Sequence, residues 1–171
     1  MPIAFDVYTD LGLFVTRYLG KVTDEEFRAA YARIRPANAG WRSLDEIADM
    51  RAMSHFAVDH GVLRAEAEIT GGFLAMHDLN VRCAVVAPED LPFALSRVYG
   101  AHADFAGREE VQVFRDPDSA ADWLGVPATT RQKVFASRHT EDVPQARPVT
   151  ARAPSTLIGF FRATLGLPSK S

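Results

Sequence analysis

The feature of this sequence that most constrains its fold is an apolar run near the middle of the chain. Residues 81–87 (VRCAVVA) contain a single charged side chain, and Pro88 ends the run. A run this short and this apolar is typical of a strand that is buried on both faces, as strands in parallel sheets are. The sequence therefore predicts a parallel arrangement with helices covering the sheet.

The N-terminal segment predicts an antiparallel hairpin. Residues 3–8 alternate apolar and polar side chains, residues 9–12 (TDLG) are typical of a turn, and residues 13–19 form a second β-rich run. Two such runs joined by so short a connection are expected to pair antiparallel.

The rest of the first 125 residues alternates between helices and strands. Thr23 and Glu26 have the spacing of a capping box, and Asp116 precedes a proline in the first turn of a helix. Pro36 is expected to end the first helix and Gly125 the last. The predicted elements after the hairpin are a helix between Thr23 and Pro36, strand 44–50, helix 59–78, strand 81–87, a helix capped by Asp90, strand 111–114 and a helix between Asp116 and Gly125.

The order of these elements is β-β-α-β-α-β-α-β-α. A hairpin followed by β-α units predicts an α/β domain with a single mixed sheet, in which helices pack on the sheet. We assign this domain to residues 1–125. The 171 residues are enough for one such domain and a C-terminal extension.

Past Gly125 the composition changes. Residues 126–154 are rich in Pro, Thr, Arg and Ala and predict a linker, whereas residues 155–171 regain an apolar pattern and predict a short amphipathic helix. Residues 1–125 hold 12 basic and 20 acidic side chains, a net charge of −8, while residues 126–171 hold 7 and 2, a net charge of +5. Because every predicted strand precedes Gly125, deletion of residues 126–171 is expected to leave the domain folded.

The apolar side chains of the C-terminal helix are expected to make a contact, through Leu157, Phe160 and Phe161. Three contacts compete: an anionic membrane surface, the groove of a partner protein, and the chain's own body or a second copy of it. So few basic residues would give only weak peripheral membrane affinity. Self-docking or exchange between two copies is therefore favoured.

Four stretches of the domain resemble the SpoIIAA-like, or STAS (CRAL-TRIO-like), family of small bacterial proteins. These stretches are residues 13–27 (LFVTRYLGKVTDEEF), residues 45–51 (DEIADMR) continuing to Phe56, residues 85–90 (VVAPED) with residues 94–99 after them, and residues 113–116 (VFRD) before residues 121–124 (ADWL). The resemblance covers about residues 3–125 and implies a small regulatory or binding domain without catalysis.

The resemblance also implies where a regulatory site would lie. In the antagonist proteins of that family, a phosphorylatable serine stands between the third strand and the second helix. The corresponding segment here resembles residues 56–61 (FAVDHG), in which Asp59 and His60 stand where the family has hydroxyls. Ser54 is the nearest hydroxyl. The departure argues against the family's phosphorylation switch.

Polar residues cluster where two of the predicted strands end. Ligands of open α/β sheets sit outside the carboxyl ends of parallel strands, where helix N-termini can hold an anion. The candidate binding residues at these ends are Arg51, Ser54, His55, Asp59, His60 and Asp90. For Asp59 and Asp90 the simpler interpretation, that they cap the helices that follow, is favoured.

The sequence shows no catalytic, cofactor or metal motif. The five histidines have no metal-ligand spacing, and Cys83 lacks a cysteine partner and is expected to be an inert buried thiol. No nucleophile elbow or dinucleotide loop is present. The near-neutral net charge of −3 gives no argument for nucleic acid, and the N-terminus lacks a signal-peptide pattern, so a cytoplasmic protein is expected.

Two functions remain open at this point. The first is a non-enzymatic regulatory or protein–protein interaction module of the SpoIIAA-like type, with residues 49–60 as its contact surface. The alternative is a small carrier with a lipid or another apolar ligand in a cavity lined by aromatic side chains. The aromatic residues concerned, for which a place in the core is the favoured interpretation, are Phe14, Tyr18, Phe27, Tyr31, Phe93, Tyr99 and Phe105.

Overall fold

The computed structural model describes residues 2–39 and 44–136. It contains five strands and four helices in the predicted order, together with a short 3-10 turn in the hairpin and one additional helix, α5, at the end of the described residues. In chain order they are β1 (Ile3–Tyr8), β2 (Leu13–Thr23), α1 (Asp24–Ala39), β3 (Asp45–Ala57), α2 (His60–Met76), β4 (Val81–Val86), α3 (Asp90–Ala106), β5 (Glu109–Phe114), α4 (Pro117–Leu124) and α5 (Ala128–Phe135). None of the described helices combines the length and the apolar character needed to cross a membrane.

The strands form one mixed sheet with the spatial order β1-β2-β3-β4-β5. β1 and β2 are antiparallel, with Ile3 opposite Tyr18 and Tyr8 opposite Leu13, and the remaining pairs are parallel. Gly12 closes the turn between β1 and β2 in the left-handed region, at a φ of 61°, which glycine adopts without strain. The predicted fold class, an α/β domain with a single mixed sheet, is confirmed.

Both faces of the sheet are covered, as the apolar run predicts. On β4, Cys83 and Val85 point into a core shared with α1, α2 and α3, which we call the first core and which covers the first face of the sheet. Ala84 and Val86 point the other way, into a second core that includes side chains of α4 and α5. The central strand is therefore buried on both sides, and each face depends on helices from different parts of the chain.

The structure confirms the capping signals at α1 and α4. Oε2 of Glu26 accepts a hydrogen bond from the backbone N–H of Thr23 at 3.0 Å, and Asp116 accepts one from the N–H of Ser119 at 2.8 Å. The predicted end of α1 at Pro36 is wrong, because the backbone is helical to Ala39. Pro36 lies in the last turn, where its missing N–H removes one hydrogen bond and the buried side chains before it still fix the helix.

Strand β3 is much longer than predicted, since it runs to residue 57 rather than 50. It pairs with β4 only over residues 46–49, but with β2 it pairs as far as Ala57. Residues 19–23 of β2 and 52–57 of β3 thus extend beyond the paired part of β4 as two strands, which we call the β2–β3 ribbon. Pairing signals between distant strands are not local, so the pattern of residues 51–57 alone did not indicate a strand.

The predicted domain boundary at residue 125 differs from the structure. Residues 128–135, expected to begin a linker, form α5, and Val134 is completely buried in the second core. The short helix α4 leaves part of the second face to be covered, and composition does not report that requirement. The rest of the predicted linker and the C-terminal segment with Leu157, Phe160 and Phe161 lie outside the described residues.

We expect the deletion of α5 to destabilise the domain, contrary to the expectation from the sequence. A chain ending at Gly125 should have a free energy of unfolding lower by about 2 kcal/mol or more than a chain ending at Ala136, because it exposes the second core around Val134. Urea denaturation followed by circular dichroism measures the difference. Equal denaturation midpoints for the two chains would show that α5 is not part of the core.

Candidate functional site

The C-terminus of α5 is held by three side chains from the sheet. The hydroxyl of Tyr8 donates to the carbonyl of Lys133 at 3.3 Å, Nη2 of Arg17 to that of Val134 at 2.7 Å, and Nη2 of Arg51 to that of Phe135 at 3.0 Å. The last carbonyls of a helix have no partner within the helix and carry its partial negative charge. Two guanidinium groups and one hydroxyl supply the missing donors.

Arg51 is also fixed on its own strand. Its Nε and Nη2 donate to the two carboxylate oxygens of Asp49 at 2.9 and 2.8 Å, and this bonding raises the pKa of Arg51. Its guanidinium carbon lies 5.2 Å from the centre of the Phe135 ring. The structure thus places this predicted binding residue in an intramolecular contact that fastens α5.

Arg17 has the same role but is more deeply buried, with only 5% of the residue exposed. It forms an ion pair with Asp6 on β1 in addition to its bond to Val134. Sequence reasoning missed Arg17 and Tyr8 altogether. The only available signal was an arginine within an apolar strand pattern (LFVTRYL), whose bond to Val134 the sequence does not indicate.

Ser54 and His55, two of the predicted site residues, lie on the β2–β3 ribbon and are exposed. His55 stands opposite Lys21 of β2, which is exposed as well. Within the described part of the chain, neither Ser54 nor His55 makes a side-chain hydrogen bond. Unlike the side chain of Arg51, the side chains of Ser54 and His55 therefore do not hold α5 in place.

Asp59 and His60 stand at the start of α2. Asp59 is the N-cap, as expected: its carboxylate accepts from the N–H of Gly61 at 2.7 Å. The N–H of Asp59 donates to Oδ1 of Asp24 at the start of α1, at 2.8 Å. The ring of His60 packs edge-on against His102 of α3, with 5.4 Å between the ring centres. Both residues tie helices together at the end of the ribbon.

Asp90 is not the cap of α3, which corrects the sequence-based interpretation. Glu89 occupies the N-cap position without a side-chain hydrogen bond, because α3 already begins at Asp90. The Asp90 carboxylate instead forms an exposed ion pair with Arg115 at 2.8 Å, and Arg115 also donates to the carbonyl of Pro88. Asp90 therefore joins α3 to the residue that follows β5.

The six predicted site residues do not lie together at one site. Asp49 is the last residue of β3 that pairs with β4, and Ser54 and His55 follow it on the ribbon, whereas Asp90 pairs with Arg115 beyond the ends of β4 and β5. Arg51 and Asp90 form ion pairs that connect elements of the fold. Asp59 caps α2, and the ring of His60 packs against that of His102. Ser54 and His55 are an exposed pair on the ribbon. Only the exposed pair on the ribbon has no partner in the described fold.

A separate polar group lies inside the first core, where sequence reasoning did not expect one. Glu46 of β3 and Glu109 of β5 are 4% and 5% exposed, and the thiol of Cys83 of β4 lies between these strands. The hydroxyl of Tyr99 donates to Oε2 of Glu109 at 3.0 Å. Acidic residues of the strand 44–50 weakened its prediction, and the sequence did not reveal that Glu46 faces inward.

Burial controls the protonation of this polar group. It raises the pKa of Glu46 to about 7, and burial together with the charge of Glu46 raises the pKa of Glu109 to about 8. Burial also raises the pKa of the Cys83 thiol, which fits the expected unreactive buried cysteine. Desolvation therefore opposes ionisation of all three side chains.

The aromatic side chains considered for a carrier pack against one another. The ring centres of Phe27 and Tyr31 are 4.7 Å apart, and the hydroxyls of Tyr18 and Tyr31 are 3.0 Å apart. The cavity they enclose with other core residues has a volume of about 20 Å³, room for about one water molecule. Phe105, by contrast, is 95% exposed on α3 and belongs to no core.

Comparison with known proteins gives likenesses among solved structures. No family model and no curated protein matches the chain. Among solved structures, it is similar to an uncharacterized protein of the DUF3478 family from Shewanella loihica PV-4, described as having a SpoIIAA-like fold. The sequences are 19% identical, the match covers 71% of this chain and 91% of that one, and the TM-score is 0.47.

Replacing Arg51 tests the fastening of α5. We expect Arg51→Ala to lower the free energy of unfolding by about 1–3 kcal/mol, since it leaves a helix carbonyl and Asp49 without their charged donor. Trypsin should also cleave faster after Arg131 and Lys133, in the released helix. The matched control is Arg64→Ala, which removes an exposed ion pair with Glu68 and should change stability by less than about 0.5 kcal/mol. Equal effects of both substitutions would contradict the assignment.

The buried carboxyl groups predict a pH dependence of stability. Their ordinary pKa is 4.5, and the fold raises it, so the contribution of the protonated forms is complete below about pH 4.5 and is lost as pH rises through about 7 and 8. A chelator is added to remove any metal ion that buried carboxyl groups could bind. Under this condition the free energy of unfolding should decrease between about pH 5 and 8. Glu109→Gln should reduce this slope, whereas Glu110→Gln, at an exposed neighbour, should leave it unchanged. Urea titrations across this range measure the slope, and a flat profile in the unsubstituted protein would refute the prediction.

Proposed function

We propose that this chain is a protein-interaction module that acts by binding and not by catalysis, and that its contact surface is the β2–β3 ribbon. The observation that carries the proposal is the mismatch in strand length at the centre of the sheet. β3 runs from Asp45 to Ala57, but β4 covers its edge only over residues 46–49. The proposal narrows the predicted contact region of residues 49–60 to residues 52–57 and their partners on β2.

The uncovered edge of β3 has the properties of a strand-addition site. Beyond residue 49, no described strand pairs with the side of β3 that faces away from β2. An exposed edge offers a row of backbone donors and acceptors to an extended segment of another protein. Near the start of this edge, the N–H of Arg51 already donates to Oδ1 of Asp49 at 3.1 Å. The available edge therefore begins at Ala52.

The side chains of the ribbon support the approach of a partner strand. Ala52, Ser54 and Ala57 are small and exposed, so they leave room beside the backbone. On the opposite face, Val22 and Phe56 are buried in the first core and hold the ribbon in place. The edge is thus rigid on one face and accessible on the other, which lowers the entropic cost of binding an extended segment.

The carrier alternative receives no comparable support. A pocket that encloses a small apolar ligand has a volume of several hundred Å³, roughly 300–1,000 Å³. The aromatic side chains of the first core leave about 20 Å³. We therefore assign these aromatic residues to the core of the domain and do not propose a carrier.

Site-specific photo-crosslinking in the host cell tests the proposal. A photoreactive amino acid at Ser54 should crosslink a defined partner protein, whereas the same residue at Glu68, an exposed position on α2, should not. With that partner purified, His55→Glu should weaken binding at least tenfold, and Glu68→Gln should leave it unchanged. Crosslinking of the same proteins at both positions would refute the proposal. A crosslink only to a second copy of the chain would replace a foreign partner with self-association.

A further inference from the structure

Three neighbouring strands bring one metal-ligand atom each to a single place in the first core. They are a carboxylate oxygen of Glu46 on β3, Sγ of Cys83 on β4 and a carboxylate oxygen of Glu109 on β5, and all of these atoms lie within 4.8 Å of one another. Glu46 and Cys83 are direct neighbours in the parallel register. Glu109 lies opposite Val81, which is two residues before Cys83 on β4. All three residues are buried.

An unsatisfied polar atom points to a missing ligand at this place. Oε1 of Glu46 is fully buried and makes no hydrogen bond of ordinary geometry, and Oγ1 of the adjacent Thr16 is in the same condition. Buried polar atoms almost always have a partner, and each exception requires an explanation. The Thr16 hydroxyl and the Cys83 thiol lie near the Glu46 carboxyl and act to lower its pKa, against the larger effect of burial, but neither reaches Oε1 with ordinary hydrogen-bond geometry. A bound cation would satisfy Oε1 fully.

The unpaired buried acids at this place also indicate a cation. Among the described residues, no Lys, Arg or His forms an ion pair with Glu46 or Glu109. Buried acids must be neutralised by protons or by a cation. Two carboxylates and a thiolate are a suitable set for Zn²⁺ or a related divalent transition metal, because the sulfur disfavours the hard cations Mg²⁺ and Ca²⁺.

We infer that Glu46, Cys83 and Glu109 bind one divalent transition-metal ion of the zinc class, a site that the histidine and cysteine spacing of the sequence did not predict. With three protein ligands, the fourth position of such a site is open to a water molecule. Tyr99 holds Glu109 by its hydrogen bond, in the way that outer residues orient metal-binding carboxylates. The ion links β3, β4 and β5.

Refolding with cobalt tests this site on the full chain. Because the three ligands are buried, the metal is added while the denatured protein refolds. Co²⁺ bound to a thiolate gives a charge-transfer absorption band in the near ultraviolet, and one equivalent per chain should produce it in full. Zn²⁺ should remove the band by competition, and stoichiometric Zn²⁺ should raise the denaturation midpoint, since it binds only the folded chain.

Substitutions identify the ligands. Cys83→Ser should abolish the charge-transfer band, and Glu46→Gln and Glu109→Gln should each weaken Co²⁺ binding at least tenfold. Glu110→Gln and Glu66→Gln, the second of which alters a buried acid already paired with Arg35, should leave the band intact. Circular dichroism confirms that each variant is folded. Absence of the band from the folded, unsubstituted protein refolded with excess Co²⁺ would overturn the inference, as would an equal band in Cys83→Ser.

Discussion

The structure depends on the need to cover both faces of a central apolar strand. β4 directs Cys83 and Val85 into one core and Ala84 and Val86 into the other, so neither face can remain in water. Three helices between the strands cover the first face. The second face is left to α4 and α5, which follow the last strand, and α5 is fastened by donors from β1, β2 and β3 to its final carbonyls.

This constraint explains why charged residues lie where apolar ones would be expected. Arg17 and Arg51 serve the C-terminus of α5, and each is balanced by a carboxylate on its own or a neighbouring strand. Among the described residues Glu46 and Glu109 have no such partner, and burial raises their pKa values, which favours neutralisation by protons or by a cation. The buried arginines are thus neutralised by ion pairs, whereas the buried glutamates are neutralised by protons or by a cation.

Much of the fold was predictable because its signals are local. The hairpin, the apolar strand β4, the capping box at Thr23 and the Asp-Pro start of α4 each depend on residues within a few positions of one another. The candidate site was less predictable. Asp59 caps α2 as expected, but Arg51 contacts a carbonyl 84 positions away and Arg17 one that is 117 positions away. No pattern near either arginine indicates such a partner.

The sequence by itself determined the order of the elements through residue 124, the mixed character of the sheet and the burial of its central strand, since turn residues, caps and alternating side chains act over short distances. Tertiary structure decided the length of β3, the open edge of the ribbon, the docking of α5 and the meeting of Glu46, Cys83 and Glu109. Each of these depends on which distant strand or helix happens to lie alongside, and a strand acquires its partner only when the chain folds.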